Sequence, residues 1–190
     1  MMENINLVNI FGQIFGVLAL IFTCYRYFKK KKSDIMKLSL VAYACYIVHY
    51  ILIGAFAGSY TLVIAIFRDY YIYLREKHHK KHRHRFFYNN WFIFVLFSAV
   101  YIALIIINLN TPLNILPLAA GFIYLFFEWF TTNKTTTKFA GGLTTLPWLF
   151  YDSISYSIPA TITDFIQIFA SITGILKDKK LRKKVVKHNH

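Results

Sequence analysis

The sequence predicts an all-α membrane protein of seven transmembrane helices, arranged as two parallel triple-helix bundles joined by a linker helix. Hydrophobic residues make up 57% of the 190 residues and charged residues only 16%, whereas a soluble domain carries about 25% charge. The 22 lysines and arginines outnumber the 8 acidic residues, and they lie apart from the apolar stretches. A weak internal repeat is the third observation. Together these features exclude a disordered chain and a disulfide scaffold.

Seven apolar stretches approach the length of about 20 residues that a membrane helix needs. In chain order they cover residues 5–25, 36–56, 58–74, 87–109, 112–130, 138–155 and 159–176. The sixth is the least apolar because glycines, threonines, Pro147 and Asp152 interrupt it, so six spans are the alternative. The first span is expected to stay in the protein, because residues 1–6 lack the basic region of a cleaved signal peptide.

Lysine and arginine follow every second predicted span and so fix the orientation. Six lie in residues 26–37, six in 75–85, two in 131–138 and seven from 177 onward. The remaining one of the 22 is Arg68, inside a span. Because basic residues stay on the cytoplasmic side, the N-terminus is predicted outside and the C-terminus in the cytoplasm. An even number of spans would break this alternation.

The first and fifth spans begin alike, which indicates that a unit of three helices is repeated. Asn9, Ile10 and Gly16 recur as Asn114, Ile115 and Gly121. Both triplets then start on the outside, so the repeats are parallel, a plan known among transporters. We divide the chain into a first bundle (5–77), a basic loop with the linker helix (78–111), a second bundle (112–177) and a basic tail (178–190).

Polar residues inside the predicted spans recur at spacings of three and four, which places each polar stripe on one helix face. Lipid cannot satisfy such groups, and an ionised side chain at membrane depth costs several kcal/mol unless it is paired or hydrated. We therefore expect the stripes to converge on a pocket for a small polar solute. The predicted pocket residues are Gln13, His49, Arg68, Trp148, Asp152, Asp164 and Gln167. The alternative is that they only pack helices together or form buried ion pairs.

Depth along the helices predicts which ionisable groups meet. Asp152 and Asp164 flank the short connection between the sixth and seventh spans, so they are expected close together in the outer half. Such a carboxyl pair would suit proton coupling. Arg68 lies nearer the middle and could pair with an aspartate. Glu128 lies near the cytoplasmic edge, where Lys134 is the expected partner.

Three residues are predicted hinges for a rocking motion of the bundles. Pro117 and Pro147 interrupt the fifth and sixth spans, and a proline within a helix leaves a backbone carbonyl without its usual donor. Gly12 lies where the first span corresponds to Pro117. Kinked helices also occur in proteins that transport nothing, so this signal is not specific.

Short motifs are spread over most of the chain. They are Gln13 with Gly16 and Val17, Lys37-Leu38-Ser39 followed by His49, Gly54, Ala57, Gly58 and Arg68, then Asn114-Ile115-Leu116-Pro117, and the run from Trp148 to Lys177. With these motifs the chain resembles the YgjV-type family of bacterial inner-membrane proteins, whose architecture is similar to the SWEET, PQ-loop and PnuC group. The resemblance implies a 3+1+3 helix arrangement, a multi-pass location in the bacterial cytoplasmic (inner) membrane, and a central pocket for a sugar, nucleoside, vitamin precursor or amino acid. The Pro-Gln dipeptide of that group is absent here.

The sequence thus predicts a transporter that moves a small polar solute by alternating access between two bundles. A receptor, chaperone or assembly subunit of the same fold is the alternative. We predict no catalytic motif, cofactor or metal site, and we interpret the histidine-rich segment 78–85 as a solvated loop, because its own cations repel a dication. The basic tail is expected to contact anionic lipids at the cytoplasmic face. Nucleic acid is not an expected partner. The sequence leaves open whether the protein forms a homo-oligomer.

Overall fold

The chain folds into seven α-helices, which confirms the predicted class. The computed structural model describes residues 7–26, 28–29, 32–79, 91–130 and 134–188, and no strand occurs among them. The helices are α1 (Leu7–Arg26), α2 (Lys32–Leu52), α3 (Phe56–His79), α4 (Trp91–Ile107), α5 (Pro112–Phe130), α6 (Lys134–Ile154) and α7 (Ile158–His188). Each matches one predicted span.

Four helices are long and apolar enough to cross a membrane. They are α1, α2 from Asp34 onward, α5, and α7 as far as Leu176. Helix α4 is apolar but has 17 residues. The sequences of α3 and α6 carry more polar and charged residues, and their assignment as spans stays a prediction.

The surface of the bundle is apolar and its interior is partly polar, the reverse of a soluble domain. Phe67 on α3 and Phe169 on α7 are 63% and 73% exposed, whereas Arg68 and Asp164 are 4% and 6% exposed. Lipid accepts the exposed aromatic and aliphatic side chains, and it excludes the charged ones. The polar stripes of the sequence therefore turn inward.

The helices pack as two triplets. In the first, α2 packs against α1 and α3; in the second, α6 packs against α5 and α7. The triplets meet through two helix pairs, α1 with α7 and α3 with α5. Helix α4 packs on α5, so the predicted linker helix lies beside the second triplet.

Helices α2 and α6 end in the same way. After α2, Gly54 has a φ of 77°, and the Ala55 N–H donates to the Tyr50 carbonyl across 2.8 Å. After α6, Tyr156 has a φ of 55°, and the Ser157 N–H donates to the Asp152 carbonyl across 2.9 Å. This six-to-one bond around a left-handed residue is the Schellman motif. It turns the chain sharply enough for α3 and α7 to start at once.

Glycines permit close helix contacts near the triplet boundary. A Cβ on Gly16 would lie 2.9 Å from Pro159 of α7, and one on Gly12 would lie 2.9 Å from Ile53. Gly12 therefore has a packing role. The hinge role predicted for Gly12, and for Pro117 and Pro147 inside α5 and α6, stays a prediction.

Candidate functional site

A central cavity of about 290 Å³ lies between the two triplets. All six triplet helices line it, and Tyr101 of α4 joins them. Ligand pockets are commonly about 300–1,000 Å³, so this volume suits a small solute. Five of the seven predicted pocket residues line the cavity. These are Arg68, Trp148, Asp152, Asp164 and Gln167.

Two carboxyl groups meet at one end of the cavity. Asp152 of α6 and Asp164 of α7 are 1% and 6% exposed, and their carboxyl groups are in hydrogen-bonding contact. The Tyr50 hydroxyl donates to Oδ1 of Asp152 across 2.8 Å. Oδ2 of Asp164 is buried with no hydrogen-bond partner. The predicted proximity of the two aspartates is thus present.

Aromatic rings surround this carboxyl pair. Tyr46 and Tyr50 stack one helical turn apart on α2, with ring centroids 6.0 Å apart. Trp148 of α6 lies 6.1 Å from Tyr50, with its plane tilted by 30°. The Tyr46 hydroxyl is hydrogen-bonded to Oγ1 of Thr163. The wall is therefore apolar over its ring faces and polar at its hydroxyl tips.

Arg68 is held in an ion cluster on the same cavity. Its Nη2 lies 2.6 Å from Oδ1 of Asp69 and its Nε 3.5 Å from Oε2 of Glu128. The Tyr43 hydroxyl donates to Oδ2 of Asp69 across 3.1 Å, and the guanidinium lies 4.7 Å from the centre of the Tyr124 ring. Two carboxylates thus compensate the single charge of Arg68.

Arg68 and Glu128 lie within ion-pair distance of each other, and Arg68 also pairs with an aspartate, as predicted. Glu128 lies against Arg68, and the side chain of its expected partner, Lys134, is outside the described residues. The aspartate that Arg68 pairs with is its own neighbour Asp69, to which Nε donates across 2.8 Å.

Gln13 and His49, the other two predicted residues, lie outside this cavity. They sit where α1 begins and α2 ends, and they connect the triplets. His49 is fully buried; its Nδ1 is 2.7 Å from the Gly12 carbonyl oxygen and its Nε2 is 2.6 Å from Oγ of Ser157. A carbonyl only accepts, so Nδ1 carries a proton and donates to it. In the neutral ring, the Ser157 hydroxyl then donates to Nε2.

Two more hydrogen bonds cross between the triplets at this end. The Gln13 amide donates to the Tyr156 carbonyl across 3.0 Å. The Gly58 N–H donates to the Tyr151 hydroxyl, also across 3.0 Å. Together with the His49 bridge, these bonds join the two triplets at the end of the bundle next to the carboxyl pair.

The tyrosines are the main feature that the sequence analysis missed. Tyr43, Tyr46 and Tyr50 step by three and four along α2, which places them on one face, and all three line the cavity. The spacing of these tyrosines by three and four residues could have predicted that they share the face of α2 that lines the cavity. Helix α3 reaches His79, and the rest of the histidine-rich segment (80–85) lies outside the described residues, as do the side chains of residues 78 and 79 and of the basic tail.

Comparison with known proteins identifies the family to which the chain belongs. No curated protein and no solved structure matches the chain. The model of the YgjV family, described as a bacterial inner membrane protein, matches residues 10–182. This match covers all seven helices apart from the first residues of α1 and the last turns of α7. The apolar surface and four span-length helices agree with that location, and the chain belongs to the YgjV family of bacterial inner membrane proteins.

Proposed function

We propose that this inner-membrane protein transports a small polar solute by alternating access between its two helix triplets. The observation that carries the proposal is the polar cavity between the triplets, next to inter-triplet bonds at one end. A sugar, nucleoside, vitamin precursor or amino acid is the class of solute that the family architecture implies. The cavity provides the binding site, and separation of the triplets provides the path.

The pattern of helix contacts supports two parallel repeats. If the triplets are exchanged, α1 corresponds to α5 and α3 to α7, so the pair α1–α7 becomes the pair α5–α3. Both pairs are in contact. The shared Schellman ends of α2 and α6 agree with the same exchange. Parallel repeats of this kind are one established transporter plan.

The distribution of basic residues supports the predicted orientation of the helices in the membrane. The predicted topology places the start of α1 and the α2–α3 and α6–α7 connections outside, because the basic residues belong to the cytoplasmic side. The His49, Gln13 and Gly58 bonds then form an outer closure, which must break for solute to enter from outside. A receptor, chaperone or assembly subunit would be favoured by a sealed apolar interior. A cavity with an unpartnered carboxylate oxygen favours transport instead.

Disulfide trapping tests the proposal. The protein, with Cys24 and Cys45 replaced by alanine, is purified and screened for solutes that raise its melting temperature; stabilising solutes are then assayed for uptake into liposomes. The pair Gly16→Cys and Pro159→Cys joins α1 to α7, and so the two triplets, at the closed end, because a Cβ on Gly16 would lie 2.9 Å from Cγ of Pro159. The matched control, Gly142→Cys with Ser171→Cys, joins α6 to α7 within one triplet, where the Cβ atoms would lie about 3.0 Å apart.

The expected result is loss of uptake after oxidation of the first pair, recovery after reduction, and continued uptake with the control pair. Equal uptake by the oxidised and reduced first pair would overturn alternating access. Failure of every solute class to bind or to enter the liposomes would overturn transport.

A further inference from the structure

The carboxyl pair offers hydrogen-bond acceptors to a ligand at one end of the cavity. Within the described part of the chain, neither Asp152 nor Asp164 forms an ion pair. Tyr50 donates to Asp152, whereas Asp164 lines the cavity and its Oδ2 is buried without a donor among the described residues. A buried carboxylate oxygen without a donor is costly. A proton shared between the two carboxyl groups leaves the pair with a single negative charge, which a cationic donor from a ligand would compensate.

The two arginines of the cavity do not supply that cationic donor. Arg68 already faces the carboxylates of Asp69 and Glu128. Arg26 lies at the last residue of α1, away from the Asp152 end of α6, and it donates to Oγ of Ser39 across 3.2 Å. The carboxyl pair thus favours a positively charged ligand over a neutral or anionic one.

The walls near the pair indicate what the rest of such a ligand looks like. Tyr46, Tyr50 and Trp148 present ring faces and edges around the carboxyl groups. Ring faces attract ammonium groups and also bury apolar carbon. The cavity volume of about 290 Å³ is roughly twice the ~150 Å³ that holds a benzene ring. A ring with a short charged arm would fill it.

We infer that this end of the cavity binds a small organic cation, an amine or quaternary ammonium compound with an apolar or aromatic body. The cationic head lies against Asp152 and Asp164, and the body lies against Trp148 and Tyr50. This inference names a substrate class for the proposed transport, and it rests on that function only in treating the bound cation as cargo.

The test uses 2-phenylethylammonium as the probe, with 2-phenylethanol and 3-phenylpropanoate as neutral and anionic comparators. Binding to the purified full chain is measured as the concentration dependence of its melting temperature, in potassium buffer at constant ionic strength. We expect the amine to stabilise the protein and the comparators to bind at least about tenfold more weakly, since a charged hydrogen bond contributes about 1.5–3 kcal/mol.

Two variants and their controls locate the site. Asp164→Asn is expected to weaken amine binding about tenfold or more, whereas Asp34→Asn, at the start of α2 and outside the cavity, leaves it unchanged. Trp148→Phe is expected to weaken it about fivefold through the smaller ring quadrupole, and Trp91→Phe on α4 leaves it unchanged. If Asp164→Asn fails to fold, Trp148→Phe and its control Trp91→Phe still decide the test.

Several results would overturn the inference. These are equal binding of the alcohol or the carboxylate, unchanged amine binding in both cavity variants, equal stabilisation by sodium ion alone, and no stabilisation by the amine. Uptake separates this inference from the proposed function. An amine that binds but does not enter liposomes refutes transport and leaves the cation site standing. A sugar that binds and enters while the amine does neither refutes the cation site and leaves transport standing.

Discussion

Tyr50 donates a 2.8 Å hydrogen bond to Asp152, and the two residues occupy corresponding positions in the two triplets. Each supplies the carbonyl that accepts the six-to-one bond at the end of its helix, Tyr50 in α2 and Asp152 in α6. This correspondence agrees with the proposed repeat of three helices, with a hydrogen-bond donor in one triplet and an acceptor in the other.

Tyr50→Phe is expected to lower the free energy of unfolding by about 1–3 kcal/mol, because it leaves a buried carboxylate without its donor while keeping the ring. The measurement is the melting temperature in detergent. Tyr60→Phe is the matched control, since Tyr60 is 47% exposed, and it should change little. Equal melting temperatures of the two variants would contradict the role given to this bond.

His49→Ala is expected to lower the free energy of unfolding by about 2–4 kcal/mol, because it removes a buried ring together with two hydrogen bonds. Ser157→Ala removes only one of these bonds and should cost about 1 kcal/mol.

The same change should also open the outer closure. A single cysteine introduced at Thr163, which lines the cavity, should react several-fold faster with a membrane-impermeant thiol reagent applied from outside when His49 is alanine. Identical labelling rates with and without His49 would show that this residue stabilises the fold without closing the cavity.

Arg68→Met is expected to destabilise the protein by about 2–4 kcal/mol, since it leaves the partly buried carboxylates of Asp69 and Glu128 without their cation. Adding Asp69→Asn and Glu128→Gln to the same chain should restore most of the melting temperature. If the triple variant is no more stable than Arg68→Met alone, loss of packing rather than loss of charge compensation explains the effect.

Two glycine substitutions should act in opposite directions. A Cβ on Gly121 would lie 2.7 Å from Cε1 of the fully buried Tyr101 ring, so Gly121→Ala should cost about 1–3 kcal/mol by overpacking α4 against α5. A Cβ on Gly141 would meet nothing within 4 Å, so Gly141→Ala should stabilise α6 by up to about 1 kcal/mol. Melting temperatures check both, and a stabilising Gly121→Ala would refute the close contact.

Hydropathy predicted that each of the seven helices exists, but it did not predict where some of them end. The predicted span 112–130 coincides with α5 (Pro112–Phe130). Hydropathy rises after the polar residues that precede Pro112, and proline is favoured at the first position of a helix, so both signals place the helix start at the same residue. Helix α7 continues to His188, past the predicted end of its span at 176. A helix needs no apolar residues to continue into a basic segment, so hydropathy alone underestimates its length.

The sequence predicted the carboxyl pair, but it did not predict that His49 and Gln13 join the two triplets. Asp152 and Asp164 are conspicuous because ionisable residues are rare within apolar stretches, and their short separation along the chain brings them together. His49 and Gln13 gave the same polar signal. Periodicity identifies the face of a helix but not the neighbour that this face meets, so it could not separate residues at the cavity from residues that join the triplets beside it.

Tyr156 gives the closed end a further property. A residue other than glycine in the left-handed region costs about 1–2 kcal/mol, and at this corner the chain carries tyrosine with a φ of 55° where α2 carries glycine. The Gln13 amide holds the carbonyl of that same residue. In the proposed transport cycle, a state that relaxed this corner would be free of that conformational cost, and each 1 kcal/mol changes the ratio of the two states roughly fivefold. The tyrosine at this turn would thereby shift the equilibrium away from the closed state.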